Sequence, residues 1–261
     1  MEVVMKKLVI VHGDKGGVGK STFSGLLADY FLQKFGHCVI VEGDRKIPDV
    51  ARRFEGVEGV DGKLVDLARP DLSEEALVAL FNEIENSGDF VVINLPAGAS
   101  STIDAQSAIL FPAAEELGFQ VAVAWLMGQE EDSIRLLQDS RLCQEAHRAM
   151  LLINARHGDP SRSFWWNHPF RKDWRERGGL EAVFPNLTDR VMRKVRETTG
   201  RYSDLVAKPD FTVIERQAIK RWIDQVWSGP IQNLVELPDL DLSACMVAGE
   251  DFKEEGRDGK G

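Results

Sequence analysis

The stretch KLVIVHGDKGGVGKSTFSGLLADYFLQKFG, residues Lys7 to Gly36, decides the architecture of this 261-residue chain. Its opening, Lys7 to His12, is a continuous apolar run of the kind that forms a strand buried on both faces. Its close, Lys20 to Phe35, carries Leu26, Leu27, Tyr30, Phe31 and Lys34 at helical spacing, and Gly36 supplies the stop. Between them run Gly13, Asp14, Lys15, Gly16, Gly17, Val18, Gly19, Lys20, Ser21 and Thr22. Glycines at 16, 17 and 19 let the backbone turn its N–H groups inward and approach an anion closely. The start of the following helix adds N–H donors and the positive end of its dipole. Lys20 brings a charge for β- and γ-phosphates, and the Ser21 hydroxyl is a ligand for Mg²⁺. Strand, glycines, GKST and helix in that order predict a nucleoside triphosphate site, for ATP with Mg²⁺, over Lys15 to Thr22.

The same rhythm repeats outward from this unit. His37 to Val41 reads as a second buried strand, and a short third is expected near Lys63 to Leu67. Ser73 to Glu85 reads as a helix with Ser73 as N-cap ahead of two glutamates. Asp89 to Leu95, Phe119 to Met127, Ala149 to Asn154 and Leu180 to Phe184 are further strands, with a helix from about Glu130 to His147. Apolar strands separated by helices predict one doubly wound α/β domain over residues 1–238, with a mainly parallel sheet covered on both faces. Ligands in such sheets bind beyond the carboxyl ends of the strands. Three regions depart from the rhythm. Ser161 to Gly179 is aromatic and basic, and residues 211–228 hold a C-terminal amphipathic helix. Residues 239–261 form an acidic, Gly-rich tail with too little apolar content to pack.

Lys plus Arg total 32 against 42 Asp plus Glu, so the net charge is 32 − 42 = −10. A field of that sign excludes a generic nucleic-acid binder and leaves such contacts to a local basic patch. No run approaches the roughly 20 apolar residues of a membrane span. Cys38, Cys143 and Cys245 are far apart and form no CxxC pair, which reads as reduced thiols in a cytoplasmic protein. No secretory signal is present: the run Leu8 to Val11 is too short.

The strict phosphate-loop pattern GxxxxGK[ST] fails at Asp14, and what fits is KGGxGK[ST] with a second lysine, Lys15. In this form the chain resembles the ParA/MinD family of ATPases. The resemblance implies an ATP-dependent homodimer in which Lys15 reaches the partner's phosphates. The second strand runs into Val41-Glu42-Gly43-Asp44, where the family has Asp-x-Asp. By resemblance Asp44 orients the attacking water, and Glu42 helps to hold the hydrated Mg²⁺. Val91 to Gly98 matches the family's strand-to-switch junction, with Asn94 where an aspartate belongs and Gly98 placed to offer its N–H to the γ-phosphate. An amide still accepts a bond from metal-bound water but attracts the cation less. Asn154 stands where the family pairs an asparagine with adenine, and Pro185 where it makes a backbone contact to the base. Asn154 reads equally as a cap or turn residue.

The resemblance spans roughly residues 5 to 228. Gly98-Ala99-Ser100-Ser101, Gly128-Gln129, the segment Arg201 to Leu205, and Arg216, Gln217 and Arg221 look like the plasmid conjugal-transfer TraL proteins and related mobilisation and stability ATPases. That implies a partner protein of a plasmid transfer or partition system. Arg162 to Arg177 interleaves Arg162, Arg171, Lys172, Arg175 and Arg177 with Phe164, Trp165, Trp166, Phe170 and Trp174. Three readings stay open for it: tryptophans packed on the domain, a protein-docking surface, or a nucleic-acid contact through Arg162–Arg177. For the whole chain the expected activity is ATP hydrolysis driving a dimerising switch. The alternatives are a nucleotide-binding scaffold with little hydrolysis and an ATP-dependent small-molecule enzyme.

Overall fold

A computed structural model describes residues 5–13, 15–69, 71, 73–128 and 130–236. Asp14, Gln129, Cys245 and the whole expected tail lie outside the described residues.

The apolar runs form one sheet of seven strands among the described residues: β1 Lys6–His12, β2 Cys38–Glu42, β3 Val60–Leu64, β4 Phe90–Asn94, β5 Phe119–Met127, β6 Arg148–Asn154 and β7 Leu180–Phe184. Their order is β3-β2-β4-β1-β5-β6-β7, and every pairing is parallel. This is the doubly wound architecture expected from the sequence. β1 is central, paired to β4 on one side and β5 on the other, so the loop after it opens where the winding reverses.

Side chains alternate along β1 between two cores. Val9 and Val11 join Phe23, Leu27 and Phe31 of α1 (Lys20–Phe35), together with Val226 of α9 (Val213–Val226). Leu8 and Ile10 face the opposite layer, built from α3 (Ser73–Ile84), α4 (Ser107–Glu116), α5 (Asp132–Asp139), α6 (Arg141–Glu145) and α7 (Phe170–Glu176). The remaining α-helices among the described residues are α2 (Asp49–Arg53), α8 (Asp189–Glu197) and α10 (Gln232–Val235). Gly36 caps α1 in the left-handed conformation, its N–H bonded to the Leu32 carbonyl.

Several boundaries differ from the sequence reading. β2 runs one residue further, to Glu42, which buries that carboxylate in the sheet. β3 begins earlier, at Val60, and its hydrogen bonding continues through Val65 N–H to Glu42 and Leu67 N–H to Gly43. The helix expected over Glu130 to His147 is two helices, because Ser140 leaves the helical conformation and caps α6 through the Cys143 N–H. α4 and α8 were not expected. Pro112 inside α4 reads as a breaker, and α8 presents Val191, Met192 and Val195 amid charges.

Three of the five aromatics of the 161–179 segment are core residues: Phe170 and Trp174 both pack edge-on to Trp165 in the same layer as α5 and α6. Trp166 lies half-buried beneath Arg171, which pairs with Glu181, and Phe164 is 57% exposed. No helix among the described residues is long and apolar enough to cross a membrane.

Candidate nucleotide site

The loop after β1 is shaped by contacts that only glycine tolerates. At Gly13 a Cβ would sit 2.4 Å from the Leu126 carbonyl oxygen. At Gly19, with φ +107°, it would sit 2.5 Å from Asn154 Nδ2. Around Gly16 and Gly17 a Cβ would meet no heavy atom within 4 Å, so the crest of the loop is open.

Lys20 opens α1 and is largely buried, and its ammonium donates to the Gly13 carbonyl at 2.6 Å and the Lys15 carbonyl at 2.8 Å. Among the described residues the helix start has no side-chain cap, and its first turn carries no acidic residue. A cation curled under an open, glycine-built crest at a bare helix start is an arrangement suited to an oxyanion.

Behind it lies a chain of polar side chains from three elements. Asn94, at the end of β4, donates through Nδ2 to Glu42 Oε1 at 2.6 Å and faces Ser21 Oγ at 3.4 Å. Its Oδ1 accepts from Ser24 Oγ at 3.0 Å. The second Glu42 oxygen accepts the Val50 N–H at 3.0 Å. Glu42 is fully buried, and that burial pushes its carboxyl up to about 7, against the pull of the Asn94 and Val50 bonds. Register explains the meeting: β2 and β4 are neighbours and Glu42 pairs with Asn94.

Asp44 stands half-buried just past β2, its Oδ1 accepting the Lys46 and Ile47 N–H groups. Lys15 forms an ion pair with Glu130 and lies 3.9 Å from Asp132, at the start of α5. Gly98 has φ +76° and opens the short helix Ala99–Ser101. Val18 is buried and Thr22 half-buried. Asn154 is buried, donating from Nδ2 to the Val18 carbonyl at 2.7 Å and accepting the Arg156 N–H at its Oδ1. The Pro185 carbonyl accepts the Trp222 indole N–H at 2.8 Å. The two groups assigned to a base by resemblance therefore already have partners within the chain.

Mg²⁺ keeps most of its waters and needs one or two protein oxygens beside phosphates. Ser21 Oγ, half-exposed at the helix start with Asn94 behind it, fits that demand. Glu42 is separated from Ser21 by Asn94 and fits as a group acting through the amide.

The sequence reading missed three neighbours. His157 places Nε2 3.2 Å from the Gly17 carbonyl. Ser24 completes the Asn94 bonding. His12 ends β1 fully buried, and the only signal of it was an ionisable residue closing an apolar run.

No family model matches the chain. Protein MobD of Acidithiobacillus ferrooxidans is 26% identical over 219 residues, spanning 83% of this chain and 93% of its own length. Among solved structures, the septum site-determining protein MinD of Pyrococcus horikoshii OT3, complexed with Mg-ADP, is 18% identical over 87% of this chain and 99% of that one, with a TM-score of 0.49. The MinD cell division protein of Aquifex aeolicus is 14% identical over 85% and 97%, with a TM-score of 0.44.

Proposed function

We propose that the chain binds Mg-ATP at Lys15–Thr22, that the nucleotide brings two copies together face to face, and that hydrolysis releases them. The observation that carries this reading is Lys20, a buried cation held by two loop carbonyls under a crest of glycines at an uncapped helix start. A charge so placed exchanges carbonyl partners for phosphate oxygens without moving the backbone. Gly16, Gly17, Val18 and Gly19 offer their N–H groups to the same phosphates, and Thr22 adds the next turn. Ser21 ligates the metal, which offsets phosphate charge, while Asn94 and Glu42 hold Ser21 in place. Asp44 orients the attacking water, and Gly98 directs its N–H toward the terminal phosphate. Asn154 and Pro185 line the base. Lys15 leaves Glu130 to reach across to the other copy. The process served is plasmid conjugal transfer, mobilisation, partition or stability in the cytoplasm, a reading supported by the TraL-like residues and by the likeness to Protein MobD over most of both chains.

A second reading, a nucleotide-binding scaffold that scarcely hydrolyses, is favoured by one observation. Glu42 spends its carboxylate on the Asn94 amide and the Val50 N–H. Single-turnover phosphate release separates the two.

Sedimentation velocity tests the dimer. Wild type sediments as a dimer with Mg-ATP and as a monomer with ADP, and Lys15→Ala stays monomeric with either. A wild type that stays monomeric in Mg-ATP, or a Lys15→Ala variant that dimerises as well, refutes the switch.

A further inference from the structure

His12 is the last residue of β1 and the one from which the phosphate loop departs. Its ring is fully buried and stands edge-on to Trp125, with centroids 4.5 Å apart. Nε2 lies 3.5 Å from Asp104 Oδ2 and 3.4 Å from Ser100 Oγ, both in the segment that follows Gly98. Nδ1 is buried with no hydrogen-bond partner among the described residues. Asp104 accepts again at Oδ1, from Ser140 Oγ at 3.0 Å and the Leu142 N–H at 2.8 Å. Ser140 is the residue at which α5 gives way to α6. On the other side, Gly13 adjoins His12, accepts from Lys20, and is pressed against the Leu126 carbonyl with no room for a Cβ. An unbroken set of contacts therefore runs from the Lys20 ammonium through Gly13 and His12 to Asp104 and the α5–α6 junction.

A purely packed position in this strand would carry an apolar residue, as Leu8 and Ile10 do on the same face. An imidazole with one nitrogen orphaned in the core costs free energy that packing alone does not return. Nε2, by contrast, faces two polar oxygens, Ser100 Oγ and Asp104 Oδ2, so the ring's polar contacts all point toward the segment after Gly98. We propose that His12 is a positioning residue that ties the phosphate loop to the segment after Gly98 and, through Asp104, to the α5–α6 junction. Occupation of the loop is then transmitted to those segments. This rests on the reading of Lys15–Thr22 as a nucleotide site.

The test is hydrogen exchange on the full chain, alone, with ADP and with the non-hydrolysable analogue AMPPNP. In wild type AMPPNP protects the loop and also residues 98–106 and 140–146. In His12→Phe, which fills the space without a donor, protection persists at the loop and is lost at the two distant segments. His12→Gln, whose amide N–H reaches where Nε2 stands, restores it. Turnover follows: kcat in His12→Phe falls about ten-fold, with KM for ATP changed by less than about two-fold, as expected for a lost polar contact that orders rather than binds. Should His12→Phe not fold, Asp104→Asn, which keeps size and weakens the acceptor, gives the same loss. Protection at 98–106 and 140–146 that survives in these variants, or a Gln variant as impaired as Phe, overturns the proposal. Protection confined to the loop in wild type also overturns it while leaving the nucleotide site standing. No protection anywhere in wild type brings down the nucleotide site itself.

Discussion

Replacing Asn94 by aspartate tests the Glu42–Asn94 pairing. The substitution is nearly isosteric, yet it exchanges an N–H donor 2.6 Å from Glu42 Oε1 for a second carboxylate oxygen. Two unit charges about 4 Å apart repel by about 4 kcal/mol at an effective dielectric of 20, enough to raise the second carboxyl pKa by about 3 units. Glu42 already sits at about 7, so the pair keeps one shared proton well above pH 7. Well above pH 7 the folded variant thus holds a proton that neither the folded wild type nor either unfolded chain holds. A carboxyl whose folded pKa is raised loses stability as pH rises. Relative to wild type, Asn94→Asp should therefore lose about 1.4 kcal/mol per pH unit, or about 3 kcal/mol between pH 7 and 9. Urea denaturation of the nucleotide-free proteins at pH 7, 8 and 9 measures it, and the double variant Glu42→Gln, Asn94→Asp should show no such slope. A stability difference between Asn94→Asp and wild type that does not change with pH would refute the buried pairing.

Two other outcomes follow from the same geometry. Asp44→Ala should leave ATP affinity within about two-fold and slow single-turnover hydrolysis at least about a hundred-fold, as for a lost general base; equal rates would remove Asp44 from the chemistry. Trp165→Ala should cost about 3–5 kcal/mol in urea denaturation, because its side chain is fully buried, whereas truncating the 57%-exposed Phe164 should cost under about 1 kcal/mol. A Trp165 loss no larger than that of Phe164 would mean that the segment does not pack as described.

What was legible in the sequence is what short-range pattern encodes. The β1–loop–α1 unit was readable because apolar run, glycines and helical spacing lie within 30 residues of one another. The other strands were readable because burial on both faces makes them continuous apolar runs. Their ends were less so: Glu42 reads as loop by composition, and only pairing with β4 shows that the sheet takes it in. The break at Ser140 was hidden because its cause, Asp104, lies 36 residues away. The Glu42–Asn94 bond was hidden for the same reason, across 52 residues, so the two departures from the family pattern looked independent. Composition flagged 161–179 as unusual but did not show that Trp165 and Trp174 point inward while Phe164 does not.

The most direct test of the nucleotide site is calorimetric titration of ATP, with Mg²⁺ present, into wild type and Lys20→Ala. Lys20 donates from a buried position to Gly13 and Lys15, so its loss removes a charge-assisted contact to phosphate, and affinity should fall at least about ten-fold in a variant that remains folded by circular dichroism. Wild type that binds no ATP, or a folded Lys20→Ala that binds it equally well, would contradict the account.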